Sequence, residues 1–239
     1  MYAIEAMNLT KKYKNQRGAE NISLKIKQGE IYGLLGPNGC GKTTIMKLLV
    51  GLLHADSGEF RILEKKPDEE TAVMSQVGCM IEEPAFYPYL TAYENLKILL
   101  KLYPELSQKR IDEVMEKLEL TRYKNDPVGK FSMGMKQRLS FGAAILHKPR
   151  LLILDEPTNG LDIKGTAKIR NILEAYQQIG GTILISSHIA GEIQRICTKA
   201  AVMMNGKIID SSSISSAIIE YGSVEDYYLH IVNQKEAAK

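Results

Sequence analysis

The stretch Gly36-Pro37-Asn38-Gly39-Cys40-Gly41-Lys42-Thr43 constrains this chain more than any other, because of what stands on either side of it. The apolar segment Ile31-Tyr32-Gly33-Leu34-Leu35 precedes it and Thr44-Ile45-Met46-Lys47-Leu48-Leu49 follows, so a glycine-rich turn joins a strand to a helix. The glycines let backbone N–H groups turn inward on a phosphate, and the helix start adds the positive end of its dipole. Lys42 then reaches the outer phosphates of a nucleoside triphosphate, and the Thr43 hydroxyl is placed to ligate Mg²⁺. Gly36 to Thr43, with Thr44 opening the helix, are the expected phosphate-binding residues.

Two downstream segments narrow the choice. Leu151-Leu152-Ile153-Leu154-Asp155-Glu156 reads as a buried parallel strand that delivers two carboxylates to its C-terminal edge, where open α/β sheets bind ligands. Beside a phosphate loop, Asp155 is expected to hold Mg²⁺ and Glu156 to polarise a water. Between these segments, Ser132 in Phe131-Ser132-Met133-Gly134-Met135 is the expected N-cap of a helix running to His147. Alone that stretch fits an ordinary capped helix as well as an anion site. It gains meaning from Pro157-Thr158-Asn159-Gly160-Leu161-Asp162 after the carboxylates and Ser186-Ser187-His188 at the end of the strand Thr182-Ile183-Leu184-Ile185.

Taken together, and over nearly the whole chain, these segments resemble the nucleotide-binding subunit of an ABC transporter. The resemblance implies an α/β fold of the P-loop NTPase, ABC ATPase type, with a mixed-sheet core, an antiparallel β section and a helical sub-domain. It makes 36–43 the Walker A loop, 151–156 Walker B with Glu156 as the catalytic glutamate, and 131–135 the signature. It implies that Asp162 is the D-loop aspartate, His188 the switch histidine at the γ-phosphate, and Tyr13 the aromatic that stacks on adenine. It further implies ATP and Mg²⁺, and a head-to-tail homodimer in which Ser132, Gly134 and Met135 of one copy close over the ATP held by the other's Lys42. Phosphoryl transfer is catalysed mainly by positioning and charge neutralisation, which gives Lys42, Glu156 and His188 the expected catalytic roles.

This chain departs from the family pattern at two places. In Val77-Gly78-Cys79-Met80-Ile81-Glu82-Glu83-Pro84-Ala85-Phe86-Tyr87-Pro88, Glu82 stands where the family carries a metal-contacting glutamine. Two unit charges ~4 Å apart interact by about 4 kcal/mol at an effective dielectric near 20, so the change is not electrostatically neutral. Glu82 either tightens metal contact, repels phosphate, or faces solvent until the site closes. Met133 and Met135 replace the signature's usual glycine and glutamine, while Ser132 and Gly134 are kept.

The loop glutamate and Phe86-Tyr87-Pro88-Tyr89-Leu90-Thr91-Ala92-Tyr93-Glu94-Asn95-Leu96 resemble a branch of exporters that protect bacteria from lantibiotics or bacitracin. Thr91-x-x-Glu94 is also a capping box, so part of this likeness is the way a helix begins. The family further implies membrane permease subunits that dock near Glu82 to Tyr93. The aromatics there suit either an apolar receptor for such a helix or the core of the helical sub-domain. Two other readings stand beside export: an ABC-type ATPase that clamps a ribosome or DNA, and a regulatory module with little turnover. The first usually has two cassettes or long coiled coils, and this chain has one motif set.

At 239 residues and 44% hydrophobic, the chain has material for one large domain. A net charge of +3 with interspersed signs gives no reason to expect nucleic acid. The three cysteines lack metal-ligand spacing. Cys40, beside Lys42, is expected to favour its thiolate, whereas Cys79 and Cys197 are expected in the core. No apolar stretch approaches the ~20 residues of a membrane span, and Met1-Tyr2-Ala3-Ile4-Glu5-Ala6 lacks a signal-peptide core. With that, the family resemblance implies a peripheral location on the cytoplasmic face of a bacterial membrane, with the pore supplied by other chains.

The organisation expected is a single domain over 1–239, with 1–82 and 151–239 as catalytic core and 83–150 as helical sub-domain. Strands are expected at Tyr2–Leu9, Ile22–Ile26, Glu59–Leu63, Leu151–Leu154, Thr182–Ser186, Ala200–Met204 and Lys207–Asp210. Helices are expected at Lys164–Ile179, Ile189–Ile196 and from Ser223, with Asn205-Gly206 as a hairpin turn and Lys235–Lys239 as a frayed tail.

Overall fold

Unbroken apolar runs such as Leu151–Leu154 and Ile183–Ile185 arise because the central strands are buried on both faces, so period-2 alternation sorts their side chains between two cores rather than between core and water. The computed structural model describes residues 1–14, 17–66, 71–82 and 85–237, with the side chains of residues 71 and 72 also left aside. Glu83 and Pro84 of the loop and the last two residues of the expected frayed tail lie outside the described residues.

The chain opens with β1 (Tyr2–Lys12), β2 (Gly18–Lys27) and β3 (Ile31–Leu35), then α1 (Lys42–Leu49), β4 (Ser57–Ile62), α2 (Thr71–Met74) and β5 (Val77–Met80). Helices α3 (Ala92–Leu100), α4 (Lys109–Lys117) and α5 (Met133–Ile145) follow. The sheet resumes with β6 (Leu151–Asp155), α6 (Ile163–Gln178), β7 (Thr182–Ser187), α7 (Ala190–Ile196), β8 (Lys199–Met204) and β9 (Lys207–Ser213), and the chain closes with α8 (Ile214–Tyr221) and α9 (Val224–Ala237).

Six strands form one sheet in the order β5-β6-β7-β3-β8-β9, parallel except for β9, which returns from β8. That return is the expected Asn205-Gly206 turn, with both residues at positive φ (48° and 78°). A separate antiparallel sheet, β2-β1-β4, supplies the antiparallel section. Ile31, Leu152, Leu154, Ile183, Ile185 and Val202 point into the core shared with α4, α5, α6, α7 and α9. Tyr32, Leu34, Leu151, Ile153, Leu184 and Met203 point into the core shared with α1 and the antiparallel sheet. Thr91 caps α3 in the expected capping box, reciprocated by Glu94.

Among the elements that local pattern did not announce are α2, β5 and α8. Strand β5 is four residues long and contains Gly78, whose hydrogen lets the α5 backbone approach; an added Cβ would lie 2.1 Å from the Ala144 carbonyl oxygen. Helix α8 follows the run Ser211-Ser212-Ser213, which reads as a loop, yet the Ser213 hydroxyl accepts from the Ser216 N–H and starts the helix. Cys79 is exposed rather than in the core, although Val77, Gly78 and Met80 of the same strand are buried. Among the described residues no helix is long and apolar enough to cross a membrane.

The order β6-β7-β3 sets up everything functional, since the C-terminal ends of these three neighbours carry Asp155-Glu156, Ser186-Ser187-His188 and the loop 36–43 to one edge. Gly78→Ala should be destabilising by about 1–3 kcal/mol, since overpacking against backbone is not relieved by a rotamer change. At roughly 2–4 °C per kcal/mol for a chain of this size, thermal melting reads this directly, and an unchanged melting temperature would disprove the close approach of β5 and α5.

Candidate active site

Glycine at 41 is required twice over: its φ is +108°, and a Cβ there would lie 2.4 Å from the Gly18 carbonyl oxygen. It is the N-cap of α1, and no side chain caps that helix. The loop is anchored from behind, as the Gly206 N–H donates to the Cys40 carbonyl (2.9 Å) while the Glu20 N–H donates to the Gly206 carbonyl (2.7 Å). Lys42 is only 5% exposed and arches back across the loop, donating to the carbonyls of Gly36 (2.7 Å) and Pro37 (3.3 Å).

Opposite the loop, Thr43 Oγ1 donates to Asp155 Oδ2 (2.6 Å), and the Ser186 hydroxyl donates to Asp155 Oδ1 (2.5 Å) while accepting from the Glu156 N–H (3.0 Å). Glu156 has a left-handed backbone, φ +47°, which costs a non-glycine residue about 1 kcal/mol or more. Its two peptide groups are held, the N–H by Ser186 and the carbonyl by the Gln137 amide (2.9 Å). Glu156 Oε2 meets His188 Nδ1 at 2.9 Å. Glu156 Oε1 is buried, makes no hydrogen bond and lies 3.4 Å from Lys42 Nζ.

These residues fit a nucleoside triphosphate with Mg²⁺. A buried cation satisfied by loop carbonyls, next to a buried carboxylate oxygen without a donor, is an arrangement that phosphate and water complete. Thr43 and Asp155 offer hard oxygen ligands. That suits Mg²⁺, which binds through one or two protein oxygens and completes its shell with phosphates and water.

Tyr13 joins Gly39, Gly41, Lys42, Thr43, Thr44, Asn38, Asp155 and Glu156 in lining a cleft of about 320 Å³. His188 reaches the same chemistry through Glu156. Ser132, Gly134, Met135 and Asp162 line a second cleft that shares no residue with the first. There Ser132 Oγ accepts from the Met135 N–H (3.3 Å) and Asp162 Oδ1 from the Gly165 N–H (2.7 Å), each capping its own helix. One chain therefore does not bring its signature residues to its own Lys42 cleft. Met133 lies across Gly160, where an added Cβ would sit 2.8 Å from its methyl carbon.

Glu82 lines a groove of about 910 Å³ with Asp155, Glu156, Phe86 and Gln137, at φ +60°. Its carboxylate accepts from Lys47 Nζ of α1, and its side chain is 60% exposed, so this pair contributes at most about 1 kcal/mol. Of the loop aromatics, Tyr87 and Tyr89 are exposed and face each other at 5.9 Å, whereas Phe86 and Tyr93 pack on the core.

Cys40 overturns the thiolate expectation. It is 4% exposed, and desolvation outweighs the Lys42 charge, so its pKa is raised. Cys197 is in the core as expected, and burial raises its pKa as well. Gln137 was missed as a site residue: it lies within the helix that follows Ser132, but nothing local indicates that its amide reaches the Glu156 carbonyl.

The family model described as ABC transporter matches residues 19–159. The chain is 45% identical to an uncharacterized ABC transporter ATP-binding protein, YcbN, of Bacillus subtilis (strain 168), over 89% of this chain and 70% of the relative. It is 43% identical to the bacitracin transport ATP-binding protein BcrA of Enterococcus faecalis (90% and 70% covered). It is 39% identical to the lantibiotic transport ATP-binding protein SrtF of Streptococcus pyogenes (86% and 89% covered). Among solved structures, an ATP binding subunit of an ABC transporter superposes with a TM-score of 0.87 at 26% identity, covering 96% of this chain and 99% of that one. A dimeric ATP-binding cassette in a post-hydrolysis state with ADP and Pi gives 0.80 at 26% identity, covering 88% and 98%.

The raised Cys40 pKa lowers its thiolate fraction at every pH. Its alkylation by iodoacetamide, followed on the Cys40 peptide by mass spectrometry, should rise with a midpoint above the ordinary thiol value of 9.0. A midpoint below that value would mean that the lysine charge prevails over burial.

Proposed function

We infer the function from one premise: the chain belongs to the ABC transporter family, as an ATP-binding subunit with the family's ATPase fold. On that premise we assign ATP hydrolysis to the edge where β3, β6 and β7 end. The contact of Glu156 with His188, with the second Glu156 oxygen left free beside Lys42, is the observation that carries this assignment.

In this reading Tyr13 stacks on the adenine, and the loop from Gly36 to Thr43, with Thr44, surrounds the phosphates. Lys42 exchanges its loop carbonyls for phosphate oxygens. Thr43 and Asp155 would hold Mg²⁺, which would neutralise charge on the phosphate oxygens. Glu156 accepts a hydrogen bond from the attacking water and draws its proton, while His188 fixes the carboxylate and lies next to the γ-phosphate. The fixed backbone of Glu156 matters because positioning supplies much of the rate.

The second cleft supports a head-to-tail homodimer, in which Ser132, Gly134 and Asp162 of one copy approach the nucleotide held by the other. The dimeric cassette among the similar structures supports the same arrangement. The partners are membrane permease subunits, which dock near Glu82 to Tyr93, and the chain works peripherally at the cytoplasmic face of the membrane. The names of BcrA and SrtF support export of bacitracin-like or lantibiotic peptides over a ribosome or DNA clamp. Glu82 marks the same branch, and in this structure Lys47 restrains its carboxylate.

Glu156→Gln should bind ATP with near wild-type affinity, lose at least about 100-fold in kcat and accumulate as an ATP-bound dimer in size-exclusion chromatography. Wild-type turnover by this variant would remove the catalytic assignment. Glu82→Gln should shift the Mg²⁺ dependence of hydrolysis, and in a cell carrying the permeases it should reduce survival on the exported peptide. Identical Mg²⁺ curves and unchanged survival would show that Glu82 faces solvent throughout.

A further inference from the structure

Behind the pair formed by Glu156 and His188 lies a carboxylate that the hydrolysis chemistry leaves unused. Glu192, in the first turn of α7, accepts two hydrogen bonds on one oxygen: from Thr158 Oγ1 at 2.7 Å and from Ser187 Oγ at 3.0 Å. Both hydroxyls are buried, at 6% and 1% exposure. Thr158 stands two residues after Glu156, in the turn closed by the Asn159 N–H on the Glu156 carbonyl (3.1 Å). Ser187 immediately precedes His188, and its oxygen also accepts from the Ile189 N–H (3.1 Å), so the same group holds the chain on both sides of the histidine.

We propose that Glu192 is a positioning residue for ATP hydrolysis, joining the turn that carries Glu156 to the segment that carries His188 so that the two side chains meet. The proposal rests on the reading of Glu156 and His188 as the groups that orient the attacking water. Ser186 already ties the strand ends together, but it acts before the chains diverge. Beyond that point, apart from the contact of Glu156 with His188, Glu192 is the side chain among the described residues that bonds to both segments. A carboxylate suits the task, since a single oxygen accepts two hydroxyl donors and charge-assisted bonds are stronger than neutral ones. The turn and the histidine segment share no backbone ladder beyond Asp155 and Ser186, so past that point their separation rests on the Glu192 bridge and on the contact of Glu156 with His188 itself. A shift of about 1 Å between reacting groups costs as much as 100-fold in rate.

The test is steady-state hydrolysis of MgATP by the full chain, with ATP affinity and melting temperature measured on the same preparations. Glu192→Ala should lower kcat by about 10- to 100-fold with KM for ATP within about twofold, because ground-state contacts to ATP are not touched. Glu192→Gln, whose amide oxygen still accepts both hydroxyls, should retain kcat within about fivefold. Thr158→Val and Ser187→Ala should each lower kcat by less than Glu192→Ala, and Thr158→Val reports on the bridge even where Glu192→Ala fails to fold. In a Glu156→Gln background, adding Glu192→Ala should leave the residual turnover unchanged, as expected for groups that act as one unit. Unchanged kcat in Glu192→Ala, or a parallel loss of kcat and ATP affinity, would overturn the proposal. Full activity of Glu156→Gln would instead overturn the reading of the catalytic pair on which it rests.

Discussion

Parallel pairing of β6 with β7 and of β7 with β3 is the constraint on which the rest of the structure depends. The register places Asp155 beside Ser186 and Leu35 beside Ser187, so three chains reach the same edge in step. Apolar burial on both faces fixes that register, because a slip of one residue would turn Leu152 and Leu154 into the wrong core. The site chemistry inherits a precision of position that loops alone do not supply.

At that edge the backbone accepts strain. Glu156 is held in the left-handed region by Ser186 on one side and Gln137 on the other, so the cost of its φ is offset by hydrogen bonds from two different elements. Gln137 belongs to α5, the helix whose N-cap is Ser132. Helix α5 and Glu156 are thereby mechanically joined within one chain, while the Ser132 cleft itself opens elsewhere. Lys42 shows the same economy of contacts: a buried ammonium is tolerated because two carbonyls and a nearby carboxylate replace its water.

Burial against charge decides the cysteines and Glu82. At Cys40 the lysine is close, but desolvation prevails and the thiol stays protonated further into the alkaline range. Glu82 is exposed, so its pairing with Lys47 is cheap to form and cheap to break.

Much of the site was legible from local pattern. Gly41 announces a backbone that only glycine adopts beside Gly18, Lys42 and Thr43 follow at the spacing phosphate requires, and the run ending in Asp155-Glu156 identifies a buried strand and its edge. Ser132 and Thr91 announce their own caps, because an N-cap is a contact over three residues. The short edge strand β5, the burial of Cys40 and the reach of Gln137 and Glu192 were not legible: β5 needs β6 as its partner, Gln137 and Glu192 meet residues 19 and 34 positions away, and Cys40 loses water only in the assembled core. The sequence by itself determined which chemical groups are present and which local turns they make, because those rest on backbone conformation and nearest neighbours. Tertiary structure alone decided which carboxylate oxygen stays free, which thiol loses its charge and which side chains hold Glu156 in place, because distance through space and dielectric exist only once the strands have packed.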